Sequence, residues 1–241
     1  RYDNITGEFI GEFITEGSGG LNGPYDLTFG PDGNLYITSQ LSTAKVKRYN
    51  GLTGEFIDDL ALMNGIPYSL SFDPDNNLYV IDNGGTVLRF NGENGNFIDS
   101  FVVASTASPN DIIFGPDGDL YICGNQFNKV MRFNGTNGTF IGDFVAEGSG
   151  GLTTPHGLTF GPDNNLYVSS TGTNTVKSYN GVNGNFINDF VPVSENLQIP
   201  ENLEFDIFGN LYIVNSGGNN IKRYNGLTGE FIDNVVETGS G

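Results

Sequence analysis

The residues of this chain whose type and spacing could do chemistry are four carboxylates and one imidazole. Asp26, Asp82, Asp111 and Glu201 occupy equivalent ends of elements in an internal repeat. Gathered with Asn125, Asn202 and Asn215, they would offer the hard oxygen ligands that suit Ca²⁺. A Ca²⁺-dependent hydrolase or lyase could then use His156 or an Asp as general base. The plainer reading is that these carboxylates cap strand ends and bond water. His156 is the only histidine, whereas nucleophilic triads and zinc sites usually draw on more. It reads as a polar lining residue, and the balance of residues favours binding over catalysis. Cys123 is the only cysteine and follows Leu120, Tyr121 and Ile122, so a buried, inert thiol is expected there.

Other motifs dissolve on inspection. Asp73-Pro74-Asp75-Asn76-Asn77 resembles a calcium loop, but Asn83 and Gly84 stand where its closing glutamate belongs. The Gly-Ser-Gly-Gly runs lack the Gly-Lys-Ser/Thr of a phosphate loop and read as flexible connections. Asn4, Asn134 and Asn137 begin glycosylation sequons.

The net charge of −18, from 28 acidic and 10 basic residues, works against nucleic acid and anionic membrane surfaces. No run of 18 apolar residues exists to span a bilayer as a helix. Acidity, few lysines and a start at Arg1 point to an extracellular or periplasmic protein.

The elements that must position these residues come from self-comparison. Phe-Gly-Pro-Asp-Gly-Asn-Leu-Tyr-Ile, from Phe29, returns from Phe72, Phe114, Phe160 and Phe205, about every 45 residues. A second block from Arg1 returns from Arg48, Arg89, Arg132, Ser178 and Arg223. Each block reads as a hairpin. In the first, Pro fixes the turn and Gly or Asn takes the left-handed position between strands a and b. In the second, an Asn-to-Gly segment joins strands c and d. Four short antiparallel strands per repeat make one propeller blade. The expected fold is all-β: a β-propeller, six-bladed, in one domain over 1–241. A c–d half-blade covers 1–17, and blades cover 18–60, 61–104, 105–147, 148–193 and 194–241. A further a–b hairpin beyond Gly241 would complete blade six. The alternatives are a five-bladed ring with a spare hairpin, or a blade completed by another chain through self-association.

Pro24, Leu27, Phe29-Gly30-Pro31-Asp32-Gly33-Asn34-Leu35-Tyr36-Ile37, followed by Val46, Arg48-Tyr49, Gly54 and Phe56, resembles an NHL repeat. The resemblance covers nearly the whole chain and implies six blades around a channel. Ligands would sit on the face bearing the d–a and b–c loops. NHL proteins include protein-interaction modules and a peptide-amidating lyase; lactonase-type and streptogramin-lyase propellers are more distant kin. The Ca²⁺ site that Asp26, Asp82, Asp111 and Glu201 could form on the axis echoes the metal site of lactonase-type propellers by residue type alone. The lyases imply several histidines, which a single His156 does not supply. The Asp that many NHL repeats place after strand b survives only at Asp82, being Ser39, Gly124, Ser170 and Asn215 elsewhere.

On that plan the channel mouth is lined by Tyr25, Asp26, Tyr68, Asn110, Asp111, His156, Glu201 and Asn202, which vary while the framework repeats. The expected function is a secreted or cell-surface binding or scaffold propeller that presents this face to a peptide, glycan or protein. The alternatives are a Ca²⁺-dependent lactonase- or lyase-type enzyme and a structural component of an extracellular assembly.

Overall fold

A computed structural model describes residues 1–3, 6–41, 44–103, 108–237 and 239. The a–b hairpin forms as its turn chemistry dictates. In β1 (Pro24–Phe29) and β2 (Leu35–Ser39), Leu27 pairs with Ile37, Thr28 with Tyr36 and Phe29 with Leu35. Gly33 adopts φ +77°, and its amide donates to the Gly30 carbonyl at 2.9 Å. Asn76 and Asn164 take the same left-handed place at φ +63° and +60°. Asp32 does more than turn the chain: its carboxylate accepts the Asn34 amide at 3.0 Å and the Tyr36 hydroxyl at 3.0 Å. Asp117–Tyr121 and Asp163–Tyr167 repeat that anchor at 2.9 and 3.0 Å, and Asp73 supplies it to Tyr79 at 3.0 Å. A fully buried tyrosine hydroxyl thereby finds its acceptor.

The c–d turn has its own logic. Between β3 (Lys45–Tyr49) and β4 (Phe56–Leu62), the Asn50 side chain accepts the amides of Leu52 and Thr53, both at 2.9 Å. Gly54 closes the turn at φ +76°, and a Cβ there would lie 1.8 Å from the Phe13 carbonyl oxygen. Across the strands, Arg48 grips Asp58 with two parallel hydrogen bonds, and Arg89–Asp99 and Arg223–Asp233 repeat the pair.

Among the described residues, five four-stranded antiparallel sheets result, each in the order a–b–c–d. The first is β1–β4. The second holds β5 (Pro67–Phe72), β6 (Asn77–Asp82), β7 (Thr86–Asn91) and β8 (Phe97–Val103). The third holds β9 (Pro109–Phe114), β10 (Leu120–Gly124), β11 (Val130–Phe133) and β12 (Phe140–Val145). The fourth holds β13 (Pro155–Phe160), β14 (Leu166–Ser170), β15 (Thr175–Tyr179) and β16 (Phe186–Val191). The fifth holds β17 (Pro200–Phe205), β18 (Asn210–Asn215), β19 (Asn220–Asn225) and β20 (Phe231–Val236).

Six blades with a half-blade over 1–17 were expected; five sheets form. Around Arg1–Gly11 the described residues make a single bridge, Tyr2 to Phe9, not a pair of strands. A c–d hairpin with no b strand to pair against has one ladder only, and two-stranded hairpins are marginal. Asn4, the first sequon, lies outside the described residues.

The residues group into two compact units. The first comprises Glu12–Ile122 and Phe133–Phe140; the second comprises Arg1–Gly11, Cys123–Arg132 and Ile141–Gly241. In the first unit, Tyr36, Val46, Leu60, Leu70, Leu78 and Phe90 share one core cluster. In the second, Tyr167, Val176, Val191, Leu203, Leu211 and Tyr224 do the same. The Gly-Ser-Gly-Gly runs are not the flexible connections expected. Ser18–Gly20 and Ser149–Gly151 are 3₁₀ turns, held by Tyr49 and Tyr179 hydroxyls that donate to the Ser18 and Ser149 carbonyls at 2.8 and 2.9 Å.

Candidate functional site

The varied residues fall at the starts of the a strands, in two clusters, one in each unit. In the first unit, Tyr25 opens β1 and Tyr68 opens β5. Their rings lie 4.7 Å apart, tilted by 55°, with Tyr25 exposed. The residue after each tyrosine ties strand to strand. The Asp26 carboxylate accepts the Leu27 amide at 2.9 Å and, from the neighbouring sheet, the Leu70 amide at 3.0 Å. Its own amide donates to the Thr38 hydroxyl at 2.9 Å. The Ser69 hydroxyl donates to Asp111 at 2.7 Å, and Asp111 also accepts the Ile112 amide at 2.8 Å. Asn110, beside it, is buried. Burial pushes the Asp26 carboxyl above the usual range, against hydrogen bonds from Leu70, Ser69 and Leu27 that favour its charge.

In the second unit, His156, Glu201 and Asn202 come together. Burial lowers the His156 imidazole, opposed by the negative charge of Glu201 and a hydrogen bond with Asn202. Glu201 accepts the Ser216 hydroxyl at 3.0 Å. Gly157 permits the close approach of β17: a Cβ there would lie 2.7 Å from the Glu201 carbonyl oxygen. The Cys123 thiol is fully buried and donates to the His156 carbonyl at 3.3 Å.

The ends of the b strands do a different job. Ser39 is buried and bonds both amide and carbonyl of Asn22, at 3.1 and 3.0 Å. Ser170 does the same with Thr153, and Asn215 accepts the Gln198 amide. These residues staple the d–a connections to their sheets. Asp82 accepts the amides of Gly84 and Thr86 in its own turn, both at 2.9 Å. Among the described residues no three His, Cys, Asp or Glu side chains are grouped so as to hold a metal ion. Asp26, Asp82, Asp111 and Glu201 are instead each bound to backbone amides or a serine hydroxyl.

No family model matches the chain, and no curated protein matches it in sequence. Solved structures do match. A selenomethionine-substituted virginiamycin B lyase from Staphylococcus aureus aligns with a TM-score of 0.67 and 21% identity, over 84% of this chain and 66% of the lyase. A nidogen/laminin complex gives 0.70 and 17%, over 90% and 81%. A catalytically inactive form of the same lyase, with quinupristin, gives 0.70 and 18%, over 94% and 73%. The fold is an all-β propeller. Among the described residues this propeller has five four-stranded blades, and the chain spans just under two thirds of the first lyase chain. Identities this low show the fold alone.

Two signals for the site's supports were present in the sequence. The Asp-to-Tyr spacing inside the a–b motif marks the anchor that holds each buried tyrosine. Thr38, Cys123 and Ser169 hold one position of the b strand, and all three bond the backbone where a strand a begins. Thr38 donates to the Tyr68 carbonyl at 3.1 Å, and Ser169 accepts the Gly157 amide at 2.8 Å.

Proposed function

We propose that this propeller, of NHL type, is a binding or scaffold module whose a-strand ends capture a basic peptide segment of a protein partner. The observation that carries this reading is the Tyr25–Tyr68 pair, exposed at Tyr25 and half-buried at Tyr68, fixed in place by the Asp26 bridge between β1 and β5. Paired tyrosines give a large amphipathic contact with little side-chain entropy to lose. A rigid backing keeps that contact organised before the partner arrives. The charge of −18 favours a cationic partner and speeds its encounter. The carboxylates beside the tyrosines serve backbone amides, which suits positioning better than proton transfer. The nidogen/laminin neighbour lends the same fold to a protein complex. Acidity and few lysines support an extracellular or periplasmic setting.

A panel of basic peptides, neutral peptides and glycans, titrated against the full chain, tests this. Basic peptides should bind, and Tyr25→Ala with Tyr68→Ala should weaken them by about 30-fold, the effect of losing about 2 kcal/mol at a hot spot. Binding that survives both alanines, or a panel in which glycans alone bind, overturns the reading.

A further inference from the structure

Eleven asparagines in this chain are followed directly by glycine. The pair has a chemistry of its own, because glycine has no side chain to keep its nitrogen away from the asparagine carboxamide. Ring closure requires the glycine nitrogen to reach the side-chain carbon and the glycine amide to give up its proton. A pinned side chain, a clamped backbone or a hydrogen-bonded amide therefore opposes it.

The fold opposes it at every pair but one. Asn50, Asn91, Asn134, Asn180 and Asn225 open the c–d turns, and each side-chain oxygen accepts the amides two and three residues on. Three of those turns hold a second pair, at Asn94, Asn137 and Asn183. There the side-chain oxygen accepts the amide two residues on, and the glycine amide donates to the first asparagine's carbonyl at 2.8 Å. Asn83 accepts the Ile66 amide at 3.2 Å, while the Gly84 amide donates to Asp82 at 2.9 Å. At Asn22 the backbone is clamped: Ser39 bonds its amide and its carbonyl, and the Gly23 carbonyl accepts the Gln40 amide at 3.1 Å.

Asn64 is the exception. It is exposed, in the connection between β4 and β5. The chain is tied on either side, by the Met63 amide to the Ala44 carbonyl at 3.0 Å and by the Ile66 amide to Asn83. Among the described residues, none hydrogen-bonds the Asn64 side chain or the Gly65 amide.

We propose that Asn64 is a self-modification site, converted in the native protein to aspartate and isoaspartate. The Gly65 nitrogen bonds to the Asn64 side-chain carbon, and the bond from that carbon to the side-chain nitrogen breaks. Ammonia leaves, carrying the proton of the glycine amide. Water then opens the cyclic imide at either carbonyl. One opening leaves aspartate; the other leaves isoaspartate, with a methylene added to the backbone. Either product places a new carboxylate in the connection that leads into Pro67 and Tyr68.

Peptide mapping by mass spectrometry tests this, with aspartate and isoaspartate counted at each pair after incubation in mild alkali, with and without urea. In urea all eleven pairs should convert at similar rates. In the native chain Asn64 should keep its rate, while every other pair slows by about tenfold or more. Asn64→Gln should remove most of the ammonia that the native chain releases. A second pair converting as fast as Asn64 in the native chain overturns the proposal. So does an Asn64 that slows with the rest, or ammonia release unchanged by the glutamine.

Discussion

Asp26 is held by two backbone amides and half-buried, so its side chain is a structural tie with a cost attached to its charge. Replacing it with alanine strands the Leu70 amide, and an unpaired buried donor costs about 1–3 kcal/mol. Urea denaturation of Asp26→Ala should show that loss. The titrating groups pull stability in opposite directions with pH. The folded Asp26 carboxyl lies above its ordinary value, so its contribution is full below pH 3.8 and fades as pH rises through the folded value. His156 is lowered by burial; its contribution is full above 6.5 and is lost as pH falls from there through the folded value. As the chain has one histidine, His156→Gln should flatten the fall in urea midpoint between neutral pH and about pH 5. An unchanged slope would assign that fall to the carboxyls. At this scale the placement of Tyr25, Asp26, Tyr68 and Asp111 near the starts of a strands was legible, because varied residues flank an unvarying turn. The stapling by Ser39, Ser170 and Asn215 was not, since their partners Asn22, Thr153 and Gln198 lie 17 residues away and share no residue type.

The turns were the most legible elements, because positive φ restricts them to Gly and Asn. The c–d glycines carry a second demand that the local sequence does not show. Gly54 sits against the Phe13 carbonyl oxygen, whereas Gly33 opens onto empty space. Gly33→Ala should cost only the conformational penalty, about 1–2 kcal/mol. Gly54→Ala adds a backbone collision and should cost more than about 3 kcal/mol. Chemical denaturation of both variants separates the two effects; equal losses would mean that the Phe13 segment yields freely. The Gly-Ser-Gly-Gly connections were misread as flexible for a related reason. Their order comes from Lys47, which donates to the Gly19 carbonyl at 2.6 Å, and from Tyr49, both distant in sequence.

At the scale of the whole molecule, blade architecture followed from repetition, but blade number did not. Counting hairpins treats the Arg1–Gly11 segment as equal to the others, while its described residues make one bridge, Tyr2 to Phe9, and no third strand. Charge is the other property of the whole. Ion pairs such as Arg48–Asp58 and Lys129–Asp143 are partly exposed and contribute little each, against a net −18 that repels itself. Added sodium chloride should therefore raise the melting temperature in calorimetry, as screening relieves repulsion. A fall would show that the cross-strand pairs outweigh the net charge.

The Cys123 sulfur has no exposed surface and bonds the His156 carbonyl, and it is the molecule's sole thiol. A reagent reaches it only when β10 parts from its neighbours. The rate at which such a label attaches in native buffer is thus a clock for local breathing, read from one atom that nature has already placed.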